Sequence, residues 1–140
     1  MVMTRLFKSF QSILPGGGDT PSEILAKALE MWGEDGSGWC RGQLETGDRV
    51  CLIGALTKAG LGKASYMNMN PVSFLTPQQR RAILKAEQYL FEAMYPGEKW
   101  QLKKEPSLYD FNDRQGFKTT REVTCKALKR ALEDEERENG

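Results

Sequence analysis

Histidine is absent from all 140 positions of the chain. This excludes every mechanism that needs an imidazole, including Ser-His-Asp and Cys-His hydrolysis, His-ligated zinc, haem on a proximal histidine and the HExxH proteases. Cysteine is scarce: Cys40, Cys51 and Cys125 form an odd set without a CxxC pair. Neither a disulfide framework nor a closed four-ligand zinc site is expected from them, and no cofactor or metal is implied. No apolar run approaches the roughly 18 residues of a membrane-spanning helix, and no secretory apolar segment precedes the cysteines. A reduced, cytoplasmic setting is expected. Charge of one sign is lacking too, since 20 Lys and Arg against 19 Asp and Glu leave a net +1. Such a chain has no global field to draw it to nucleic acid or to an anionic membrane, so nucleic acid is only weakly supported as a partner.

What the chain does contain is helical periodicity with well-marked ends. Thr20 with Glu23, Thr76 with Gln79, and Thr119 with Glu122 each carry the capping-box spacing, in which two side chains satisfy reciprocal backbone donors. Pro21 and Pro77 add the favoured first-turn proline. These signals predict helices over about 21–33, 77–95 and 120–137, each with one apolar stripe. Between the first two, Gly47 sits amid a short hairpin pattern over about 39–52, and a further helix begins near Cys51 or Leu52. Gly54 inside that helix costs about 1 kcal/mol relative to alanine, which predicts close backbone packing there. Residues 62–75 and 96–118 read as loops. The expected fold class is mainly α, a small bundle of four or five helices with one short β-hairpin.

The predicted organisation has three parts. Residues 1–18 are an amphipathic arm and glycine linker, with Met3, Leu6, Phe7, Phe10, Ile13 and Leu14 at helical spacing before Pro15 and three glycines. Residues 19–132 form one globular domain, and 133–140 an acidic tail. The arm either docks back on its own domain or lies on a partner, a second copy or a membrane surface.

The succession Gly38-Trp39-Cys40-Arg41-Gly42, then Gly47-Asp48-Arg49-Val50-Cys51-Leu52-Ile53-Gly54-Ala55-Leu56, then Asn112-Asp113 ahead of Thr119 to Val123, resembles a domain family of unknown function. Its members are small proteins of bacteria, actinobacteria especially, and of their phages. The likeness covers about residues 22–132. It implies a domain boundary and a bacterial or phage origin. Because the family has no established activity, it implies no catalytic role.

Two groups of residues carry candidate chemistry. Cys51 lies near a helix N-terminus, where the dipole and free N–H groups favour a thiolate. Without histidine its base would be Asp48, Asp113 or a lysine, so a buried cysteine closing the hairpin onto the helix competes with a nucleophile. Asn112 and Asp113 read either as a local turn with Gly116 at positive φ, or as part of a ligand pocket. In the second reading Asp113 meets Arg41 or Arg49, and Trp39 and Trp100 wall a site for a small ligand such as a nucleotide.

The second group is the charge-split last helix. Lys118, Arg121, Lys126, Lys129 and Arg130 against Glu122 leave a net +4; Glu133, Asp134, Glu135, Glu136 and Glu138 against Arg137 leave a net −4. This order opposes the helix dipole, which favours acid first. It reads as a solvated face or as a partner surface. The functional expectation is a non-enzymatic binding protein, a phage or prophage accessory factor that occupies a host protein. The alternative is a small-ligand binder or a thiol enzyme centred on Cys51.

Overall fold

The computed structural model describes residues 18–67 and 76–139. The amphipathic segment expected over 3–14, and the second half of the loop expected over 62–75, lie outside the described residues. The architecture is mainly helical: α1 (Pro21–Trp32), β1 (Glu45–Thr46), β2 (Arg49–Val50), α2 (Leu52–Leu61), α3 (Pro77–Met94), a 3₁₀ turn (Leu102–Lys104) and α4 (Glu105–Asn139). Among the described residues no helix is long and apolar enough to cross a membrane.

Helices α1 and α3 start where the capping boxes put them. Thr20 Oγ1 accepts the Glu23 N–H and Glu23 Oε1 accepts the Thr20 N–H; Thr76 and Gln79 repeat the arrangement. Gly33 ends α1 at φ 74°, its N–H donating to the Leu29 carbonyl. The apolar stripes meet in one core, with Ile24, Leu25, Trp32, Leu52, Ile53, Leu56, Ile83, Leu90, Phe91 and Leu108 all buried. The hairpin pairs Glu45 with Val50 and Thr46 with Arg49 across Gly47, whose φ of 59° the tight turn requires. Residues 38–40 run alongside β2: Val50 donates to the Gly38 carbonyl, and its own carbonyl accepts from both Cys40 N and the Trp32 indole.

The last helix differs from expectation. Thr119 does not start it; α4 already begins at Glu105, so most of the stretch expected as loop over 96–118 is helical. Its inward face there is Glu105, Leu108 and Asn112, spaced three and four residues apart and fully buried. Two of these three are polar, so an apolar count along the chain does not register the helical period. The turn expected at Asn112-Asp113 is likewise replaced by helix. The break falls at Gly116, which has the expected positive φ (83°) with ψ 178° and bends α4 into two arms. Thr120 Oγ1 donates to the Gly116 carbonyl at 2.7 Å and Thr124 Oγ1 to the Thr120 carbonyl, so the threonines after the kink tie back onto the helix itself. The second arm then runs without interruption through the acidic residues to Asn139.

Candidate functional site

Asn112 is the polar centre of the fold. Its Oδ1 accepts the Trp39 indole N–H at 2.6 Å and the Leu52 backbone N–H at 3.1 Å. Its Nδ2 donates to the Cys40 carbonyl at 3.1 Å and to Asp113 Oδ1 at 3.2 Å. One carboxamide offers two donors and two acceptor sites, so every hydrogen-bonding direction of this fully buried side chain is used by the protein. The Leu52 N–H is one of the orphan donors at the start of α2. Asn112 therefore joins the first arm of α4, the loop before the hairpin and the N-terminus of α2.

Cys51 completes the same junction from below. It is the N-cap of α2, its Sγ accepting the Gly54 N–H at 3.4 Å, while its own N–H donates to the Leu44 carbonyl at 3.1 Å. Burial pushes its thiol up to about 12, outweighing the lowering by the Gly54 N–H. The thiolate expected from the helix N-terminus is thus disfavoured by desolvation, and Cys51 is a protonated, fully buried cap. Cys40 behaves similarly, its Sγ–H donating to the Gln43 carbonyl and burial raising its pKa. At Gly54 a Cβ would stand 2.0 Å from the Leu44 carbonyl oxygen, so the close packing expected there is a backbone-on-backbone approach.

The outer layer is more open. Asp113 Oδ1 accepts the Gly42 N–H at 2.9 Å, so its partner is loop backbone where Arg41 or Arg49 was expected. The exposed Arg41 guanidinium lies 5.4 Å above the Trp39 ring. Phe117, just past the kink, contacts Trp39 at 5.9 Å and Trp32 at 6.3 Å between ring centroids. Trp39, Arg41, Cys51, Asn112 and Asp113 therefore come together. Trp100 does not join them: it packs on Phe91 at 5.5 Å and lines a separate groove with Pro21 and Leu84.

The charged end of α4 divides in two. Asp134 accepts the Tyr89 hydroxyl at 2.8 Å and pairs with Arg130 and Arg137. The Tyr89 hydrogen bond is the main cause holding its carboxyl below the usual range. Glu135 reaches the first turn of α1, where its two oxygens accept the Ser22 hydroxyl at 2.6 Å and the Ser22 N–H at 3.1 Å. Lys118, Lys126, Lys129, Arg130, Glu133 and Glu136 are exposed, and Arg121 is half-buried.

One buried feature went unread in the sequence. Glu87 on α3 and Glu105 at the start of α4 are both fully buried, and Glu105 Oε2 accepts the Met67 N–H at 3.0 Å. Burial and the facing Glu105 carboxyl raise Glu87 well above 4.5, which favours its protonated form. The signal available was its helical register: Glu87 falls on the buried stripe with Ile83, Ala86 and Leu90.

A small helical domain whose most distinctive residues build an internal polar joint is the class that this fold and site define. The chain belongs to a family of unknown function (DUF6197), whose model matches residues 17–134. No curated protein and no solved structure matches it.

Proposed function

We propose that the protein is a non-catalytic binding protein that acts by occupying a protein partner through the exposed cations of α4. The observation that carries this reading is the uneven use of charge along that helix. Asp134 and Glu135 are spent on Tyr89 and Ser22, whereas Lys118, Arg121, Lys126 and Lys129 make no ion pair among the described residues. These cations lie within one half-turn of the helix circumference, a surface suited to an acidic protein face. Thiol chemistry at Cys51 has little support, given its buried, protonated state. A ligand centred on Asn112 would have to displace bonds already made.

The resemblance to domains of bacteria and their phages supports a bacterial host protein as the partner, bound in the manner of a prophage accessory factor. The test is affinity capture from bacterial lysate, comparing the native chain with the triple variant Lys118→Glu, Lys126→Glu, Lys129→Glu. A partner retained at stoichiometric level by the native chain and released by the variant or by raised salt supports the reading. Equal capture by both, or capture of nucleic acid alone, overturns it.

A further inference from the structure

We propose that the groove between the start of α1 and the outer face of α3 is the seat of the chain's own N-terminal amphipathic segment, residues 3–14. The groove measures about 510 Å³ and is walled by Pro21, Ala82, Leu84 and Trp100, with Arg81 and Lys85 along its rim. Leu84 and Trp100 are only partly covered, so an apolar face is left on the outside of α3. Arginine and lysine stems extend such a face while keeping their charges in water.

Three observations select this occupant. First, the chain enters at the groove. Gly18 is pinned by its N–H to the Ala59 carbonyl at 3.1 Å, and it has no room for a side chain because a Cβ would stand 2.9 Å from Ile24. Asp19, the next residue, is already part of the groove lining. Second, the tether is short. The four residue steps from Gly18 back to Leu14 reach at most about 14 Å, which would give the segment a high effective concentration at the groove. Third, lengths and chemistry match. Twelve helical residues measure about 18 Å, and the groove follows α3 from Gln78 to Gln88, about 15 Å of helix. Met3, Leu6, Phe7, Phe10, Ile13 and Leu14 fall at helical spacing in the sequence, a pattern that as a helix would present one apolar stripe in need of a covering surface.

The family model begins at residue 17, immediately after this segment. The groove-lining residues from Asp19 to Trp100 all lie inside the matched range, and the proposed occupant lies outside it.

Hydrogen exchange of the full chain, read by mass spectrometry, tests the proposal together with sedimentation velocity. Residues 3–14 should exchange at least about tenfold more slowly than a free peptide of the same sequence, in a chain sedimenting as a monomer. Leu84→Glu on the groove and the double variant Phe7→Asp, Phe10→Asp on the segment should each abolish that protection. The double variant should also move the Trp100 indole N–H resonance and leave that of the buried Trp32 in place. Since the segment precedes the domain, this second variant reads the contact even if Leu84→Glu unfolds the chain. Exchange of residues 3–14 at the free-peptide rate overturns the proposal. So does an unmoved Trp100 signal in the double variant, or protection that disappears on dilution together with a halving of the mass, which would assign the groove to a second copy.

Discussion

Asn112 Oδ1 holds the Trp39 indole N–H at 2.6 Å across 73 positions of sequence, and the same oxygen takes the Leu52 N–H. A single carboxamide thus fixes the loop before the hairpin against the first turn of α2. Asn112→Ala strands the Trp39, Leu52 and Cys40 groups together, and an unsatisfied buried donor or acceptor costs about 1–3 kcal/mol. The expected loss is about 3 kcal/mol or more in urea denaturation. Trp39→Phe, which removes one donor and keeps most of the ring, should cost less than half as much.

Gly54→Ala sets two effects against each other. Alanine favours a helix interior by about 1 kcal/mol, but its Cβ would fall 2.0 Å from the Leu44 carbonyl oxygen, which is backbone and cannot swing aside. The clash should win, lowering the melting temperature. At Gly60 the obstructing atoms belong to the Ile83 side chain, at 2.5 Å, so Gly60→Ala should be the milder of the two.

The raised pKa of the buried Glu87 makes stability pH-dependent. Its folded-state pKa lies above the unfolded value of about 4.5, so its contribution is complete below pH 4.5 and declines as pH rises through the folded value. The group facing it is the Glu105 carboxyl, which holds the Met67 N–H and raises the Glu87 pKa further. Glu87→Gln removes this dependence. Its stability relative to the native chain should increase from pH 5 to pH 8 in parallel urea titrations. A constant difference would show that folding does not raise the pKa of Glu87.

The three cysteines should differ in reactivity. With Cys51 pushed up to about 12 and Cys40 also raised and buried, iodoacetamide at pH 8 should modify the half-buried Cys125 first and reach the other two only in urea. Peptide mapping reads the order. Cys51→Ser, which retains a capping atom, should be better tolerated than Cys51→Ala, whose lost cap costs about 1 kcal/mol.

The acidic end of α4 should respond residue by residue. Glu135→Ala removes two charge-assisted bonds to Ser22 at the first turn of α1, a loss of about 1–3 kcal/mol. Glu136→Ala, one position along on the exposed face, should leave the denaturation midpoint unchanged.

Much of the framework was legible before any coordinates. The Thr20 and Thr76 boxes, the Gly33 stop and the turn at Gly47 act through atoms within a few residues of one another, so local sequence carries them. Thr119 shows the limit of that reasoning. It has the same capping spacing, yet the second arm of α4 already starts directly after Gly116, and the first arm before it is held inside by groups distant in sequence from Leu108 and Asn112. The candidate residues divide the same way. Trp39, Cys51, Asn112 and Asp113 were recognisable by type and spacing, but their partners, Leu52 N–H, Gly54 N–H, the Cys40 carbonyl and Gly42 N–H, are backbone groups that any residue supplies.

The sequence by itself determined the helices with marked ends, the hairpin and the lack of imidazole chemistry, since each depends on residue type and short-range geometry. Tertiary structure decided which polar side chains are spent inside and which stay outward. Asn112 and Glu87 face the interior and the half-buried Glu135 is bonded to Ser22, while Lys126 and Glu136 face solvent, a difference that arises only when distant donors and apolar faces close around them.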